Sequence, residues 1–87
     1  MNNDQAVFEL LDVAYANTDT KDNEENREKF AAQLCDIIDM NDSCTSYECK
    51  SAIYYLTDDK NNMEEIAFKL LRWAEGMMEE IQGGGQY

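Results

Sequence analysis

Apolar residues recur at helical spacing in successive stretches of the chain, separated by short polar segments. In the first stretch Val7, Leu10, Leu11 and Ala14 follow the i, i+3, i+4, i+7 pattern, and Phe8 and Tyr15 widen the stripe. That spacing places them on one side of a helix and predicts one over roughly residues 4 to 17, with Asp4 as its cap or a first-turn acid. The polar run from Asn17 to Asn23 ends it. The second stretch opens on Asp22 or Asn23 as a cap. It sets Glu24 and Glu25 in the first turn, where the positive end of the helix dipole favours carboxylates. Phe30, Leu34, Ile37 and Ile38 form its apolar face, with Ala31 and Cys35 alongside; Cys35, like Cys49, is expected to be buried apolar filler, and the helix to stop near Met40.

Thr45, Ser46, Tyr47 and Glu48 match a capping box, in which the Thr45 hydroxyl accepts from the Glu48 amide and the Glu48 side chain reaches back. A third helix follows, with Cys49, Ala52, Ile53 and Leu56 on one face. On this face Tyr55 is expected to point mostly outward and Tyr54 to sit to the side. The segment from Thr57 to Asn62 can be read in two ways. Asp and Asn compete with helical hydrogen bonding, and Asn62 before Met63, Glu64 and Glu65 has the form of a fresh cap. Yet positions 49, 52, 56, 63, 67, 70, 74, 77 and 81 keep a rhythm of about 3.5 residues, as one unbroken helix would. Two helices of ordinary length are the expectation. The last carries Met63, Ile66, Ala67, Leu70, Leu71, Ala74, Met77, Met78 and Ile81, and Gly83 is placed to end it.

No stretch alternates with period two, no Asn-Gly or Asp-Gly turn occurs, and there is no proline. The fold class is therefore all-α: a small bundle of four amphipathic helices, or three if the third and fourth are continuous. With 87 residues the chain makes one helical domain, over 1–82, and 83–87 read as a flexible Gly-rich tail.

Charge changes the picture. Nineteen Asp and Glu against seven Lys and Arg give a net charge of −12. This excludes a nucleic-acid binder that works through a basic patch, and a polybasic membrane anchor. The surplus sits in three blocks without local counter-charge, over residues 1–20, 34–49 and 73–87. Elsewhere acids and bases nearly balance, and Glu25 and Lys29, like Glu65 and Lys69, have the favourable i, i+4 order. Within the blocks, Glu9 and Asp12, Asp36 and Asp39, and Glu75 and Glu79 each share a helix face, and Glu80 adds to the last. Such like-charge pairs cost about 0.2–0.5 kcal/mol each. Carboxylates one turn apart are also about 5–6 Å from each other, close to the spacing of phosphates along a strand. The alternative use of the charge is solubility.

The remaining chemistry is sparse. The chain has no histidine, so it lacks the commonest general base and metal ligand. No Gly-rich phosphate loop and no nucleophile–base pair is recognisable, which argues against an enzyme and against a bound cofactor. Cys35, Cys44 and Cys49 are odd in number and form no CxxC pair. They fit free thiols in a reducing, cytoplasmic setting better than a zinc site, although Cys44 and Cys49 are near enough in sequence to cross-link under oxidation. The acidic run from Asp39 begins like a calcium loop, but it has Cys44 where glycine is needed and Lys50 in the twelfth place. No apolar run approaches the length of about 18 residues that spans a bilayer. The opening MNNDQ is not the basic start of a signal peptide.

Tyr55 and Trp73 lie at stripe edges, where aromatic residues are enriched in interfaces. The last helix is apolar over more than half its circumference, which raises a homodimer built on it. In general type, though through no shared motif, the chain is similar to the small acidic helical proteins by which phages and mobile elements antagonise host machinery, CRISPR nucleases included. The resulting expectation is a non-enzymatic inhibitor of a larger basic partner that handles nucleic acid. Glu9, Asp12, Asp36, Asp39, Glu75, Glu79 and Glu80 are its expected charged rim, and Tyr55 and Trp73 its anchors. The alternative is a helical module that associates with itself, its charge serving solubility.

Overall fold

The computed structural model describes residues 3–40, 45–58 and 60–83, with the backbone alone for Asn3, Asp4, Met40 and Gly83. It is an all-α bundle of four helices: α1 (Asn3–Asn17), α2 (Glu24–Met40), α3 (Ser46–Leu56) and α4 (Met63–Gly83). No strand occurs among the described residues. α1 packs most extensively on α4 and α2 on α3, while the α1–α2 and α3–α4 contacts are smaller. The core joins Ala6, Leu10 and Ala14 of α1 to Phe30, Leu34 and Ile37 of α2, Cys49, Ala52 and Leu56 of α3, and α4 from Met63 to Ala74. Most of the stability of these amphipathic helices comes from mutual burial of their stripes. Along α4 the fully buried positions stop at Ala74; Met77, Met78 and Ile81 are half-buried.

The third and fourth helices are separate. After Leu56 the Thr57 hydroxyl donates to the Tyr54 carbonyl at 2.7 Å, and the Asp58 carboxylate accepts from the Lys60 amide at 3.1 Å. The Asn62 Oδ1 then accepts from the amides of Glu64 and Glu65 at 2.8 and 3.4 Å, capping α4. These short polar side chains offer the backbone partners outside the helical ladder, and that local competition overrides the continuing apolar rhythm. Asn23 caps α2 in the same way, accepting from the Asn26 amide at 2.8 Å. The 83–87 tail lies outside the described residues except for Gly83, which is the last helical residue of α4.

Asp22, the other candidate cap of α2, does something longer in range. Its carboxylate receives two bonds from Arg27, from Nε at 2.6 Å and from Nη2 at 3.0 Å, and accepts from the Met63 amide at 3.0 Å. Arg27 also donates to the carbonyls of Leu56 at 3.1 Å, Asp58 at 3.4 Å and Asn61. One guanidinium thereby ties the start of α2 to the end of α3 and the start of α4. The side chain is only 13% exposed. The Arg27 bond, then the Met63 amide, hold the Asp22 carboxyl below its ordinary value.

Five side-chain expectations are corrected. Thr45 precedes α3, but its backbone is already helical (φ −86°, ψ −17°) and its side chain makes no capping bond. A cap needs an extended backbone to aim its oxygen at the free amides, so the Thr45 hydroxyl is instead buried without a partner among the described residues. Cys35 is exposed rather than buried filler; it lies about 100° round the helix from Leu34, outside the stripe. Tyr15 is 71% exposed and Phe8 37%, so neither widens the buried stripe of α1, whereas Ala6 is fully buried. Tyr54, at 69% exposed, points further outward than Tyr55 at 44%. The buried line of α3 is Cys49, Ala52 and Leu56, with Ile53 at its flank, and Tyr54 stands opposite that line. Lastly, of the two expected i, i+4 pairs, Lys29–Glu25 forms at 3.5 Å between exposed side chains, and Glu65–Lys69 is not among the described ion pairs.

Candidate protein-binding surface

Six of the seven acids singled out from the sequence are exposed: Asp12, Asp36, Asp39, Glu75, Glu79 and Glu80. Glu9 is half-buried, and its Oε1 accepts from Gln5 Nε2 at 3.2 Å one turn earlier. None of the seven belongs to a described ion pair. Their positions work against the helices that carry them. No helix has a basic residue in its last turn. Asp39 stands in the last turn of α2 and Glu80 in that of α4, each at the negative pole of its helix. An acid there costs about 0.3–1 kcal/mol.

The fold sets the α1 and α4 acids on helices that pack against each other. Asp36 and Asp39 lie apart from them on α2, whose main neighbour is α3. Trp73 is half-buried against the core, so most of its surface is already used inside the molecule. Tyr55 is the freer of the two anchors and lines a groove between α3 and α4. A larger hollow beside the Asp22–Arg27 joint, of about 660 Å³, holds Glu24 and Glu28 along with Arg27, whose guanidinium is engaged by Asp22 and three carbonyls.

Other chemistry on the described residues is limited. Burial, then the neighbouring Glu48 and Cys35, push the Cys49 thiol up to about 12, which keeps it protonated and unreactive. Cys44 lies outside the described residues. No three metal-ligating side chains gather among the described residues, and no described helix is long and apolar enough to cross a membrane. No family model, curated protein or solved structure matches the chain.

The joint between Asp22 and Arg27 escapes sequence reasoning because its partners lie up to 41 residues apart. The spacing of Asp22 and Arg27, one residue longer than the favoured i, i+4, carries no signal of its own. The exposure of Tyr47 and Tyr54 was within reach: they are seven residues apart on one line, opposite Ala52.

Proposed function

We propose that this chain is a non-enzymatic binding protein that lays its acidic faces against a basic, nucleic-acid-handling protein and blocks it. The observation that supports this reading is the placement of exposed, unpaired carboxylates where folding gains nothing from them, Asp39 and Glu80 at the negative poles of α2 and α4 above all. Where the fold needs a carboxylate, at Asp22, it is paired twice over with Arg27. Acids kept against a local cost favour use in a field that attracts a positively charged surface. A role as an antagonist of the phage anti-defence kind, in the cytoplasm suited to free thiols, belongs to the same reading.

The test is capture from an extract of the native host with the tagged chain, followed by mass spectrometry. A basic partner that is retained at low salt, released by duplex DNA, and lost when Asp36 and Asp39 are both changed to lysine supports the proposal. A partner held equally by the charge-reversed chain contradicts it.

One observation favours a second reading, self-association through α4. Met77, Met78 and Ile81 continue the apolar phase of that helix past Ala74 yet are only half-buried. Sedimentation equilibrium separates the two, since a dimer that dissociates on Met77→Glu supports self-association and a monomer at all concentrations excludes it.

A further inference from the structure

We infer that the groove between α3 and α4 is an anchor site for one arginine side chain of the basic partner. The inference rests on the proposed binding of a basic protein and assigns a specific contact within it.

The α3–α4 contact is the slightest of the main helix pairings, and it leaves a groove of about 250 Å³ open along the surface. This is below the range of about 300–1,000 Å³ for small-molecule sites, and of a size for a single long side chain. Its floor is apolar: Ala52, Ile66 and Leu70 are all within a few per cent of complete burial. Tyr55 forms an aromatic wall. The Tyr55 ring meets the Tyr54 ring edge to face, the two centroids being 5.7 Å apart and the planes at 77°. Glu48 from α3 and Glu65 from α4 line the groove, against one cation, Lys69.

These features fit a long aliphatic stem that ends in a planar cation. An arginine can lay its methylenes along the apolar floor, stack its guanidinium on Tyr55 and offer its forked donors to the carboxylates. A lysine can do the first, but its compact, strongly hydrated ammonium has no plane to stack on the ring and no fixed fork for the carboxylates, so it gains less from both. An acidic side chain would meet two glutamates against one lysine. The net charge of −12 brings basic segments to the surface; the groove then distinguishes between the two kinds of basic residue.

Fluorescence anisotropy with labelled nona-arginine and nona-lysine peptides tests this, on the full chain and on variants whose fold is checked by circular dichroism. The wild type is expected to bind nona-arginine about tenfold more tightly than nona-lysine. Tyr55→Ala should cut that preference to about twofold and leave nona-lysine affinity unchanged; Glu48→Gln with Glu65→Gln should lower nona-arginine affinity the more. Tyr15→Ala, which removes a still more exposed tyrosine on α1, should change neither peptide. Amide shifts on adding nona-arginine should centre on Ser51, Glu65 and Lys69. A preference that survives Tyr55→Ala, or one that falls as far with Tyr15→Ala, overturns the arginine site while leaving the acidic-binding reading standing. Failure of both peptides to bind the wild type overturns that reading and the site with it.

Discussion

The joint at Asp22 and Arg27 and the last turns of α2 and α4 treat charge in opposite ways. At the joint every ionised group is matched: the carboxylate takes two bonds from the guanidinium and one from the Met63 amide, and the guanidinium reaches three carbonyls besides. At the ends of α2 and α4, Asp39 and Glu80 stand at the negative pole of their own helix and join no ion pair among the described residues. The same chain is thus able to satisfy a charge where the fold depends on it, and it leaves charges unsatisfied where the fold does not. The nineteen acids therefore do not form one population. Asp22 is structural and the first-turn acids Glu24, Glu25, Glu64 and Glu65 suit their helix dipoles, whereas Asp39 and Glu80 are carried at a small cost in stability.

The joint should give the largest effect. Arg27→Ala removes the ligand of three carbonyls and leaves Asp22 without its counter-charge. It is expected to lower stability by about 2–3 kcal/mol, read by urea denaturation, since charged hydrogen bonds contribute about 1.5–3 kcal/mol and this side chain is mostly buried. A loss no larger than that of an exposed pair, at most about 1 kcal/mol, would put the joint in the same class as Lys29–Glu25.

Asp22→Asn is a milder probe, with an expected loss of about 1 kcal/mol at neutral pH. Its pH dependence has a definite sign. Because the folded chain holds the Asp22 carboxyl below its ordinary value of 3.8, the stability it contributes is fully present above that value. It is lost as the pH falls through the lowered folded value. The wild type and Asp22→Asn curves should therefore run parallel from pH 7 down to about 5 and converge in strong acid.

Two substitutions away from the joint should stabilise by about 1 kcal/mol each. Gly76→Ala lies in mid-helix on the acid-bearing half of α4, with nothing within 4 Å of the added methyl group. The gain there is the backbone freedom that glycine loses on becoming helical. Thr45→Val replaces a fully buried hydroxyl that has no partner among the described residues by a methyl of similar shape. A loss of stability in Thr45→Val would show that the hydroxyl has a partner after all. Both variants are read by the same denaturation.

Helix positions were legible in the sequence because their causes are local. The stripe of Val7, Leu10 and Ala14 and the cap at Asn62 each follow from residues within a turn or two. What could not be read was either distant or geometric. Asp22 looks like a cap for the helix that follows it, and only the fold brings the Met63 amide to it from 41 residues away. Thr45 satisfies the capping motif in letters but has a helical backbone, which no motif specifies. Tyr54 points further outward than Tyr55 because Cys49, Ala52 and Leu56 centre the buried stripe of α3 and Ile53 only flanks it. For the candidate surface, the sequence located the acids and Tyr55. It could not show that Trp73 is largely spent on the core, or that Tyr55 borders a groove with Glu65 and Lys69 of another helix.

The smallest effect on stability, and the most direct test of the account, comes from reversing Asp36 and Asp39 to lysine together. Each reversal changes the charge by two, taking −12 to −8. Stability should hold or rise by up to about 1 kcal/mol, because a cation at the end of α2 suits its dipole. The decisive measurement is the association rate of wild type and this variant with the basic partner recovered from the host, by surface plasmon resonance at 0.1 M and 1 M salt. Long-range attraction acts over a Debye length of about 10 Å at the lower salt and about 3 Å at the higher. The variant should therefore associate more slowly at 0.1 M, and the two rates should draw together at 1 M. Identical association rates at both salts would contradict the claim that the unpaired acids serve a partner.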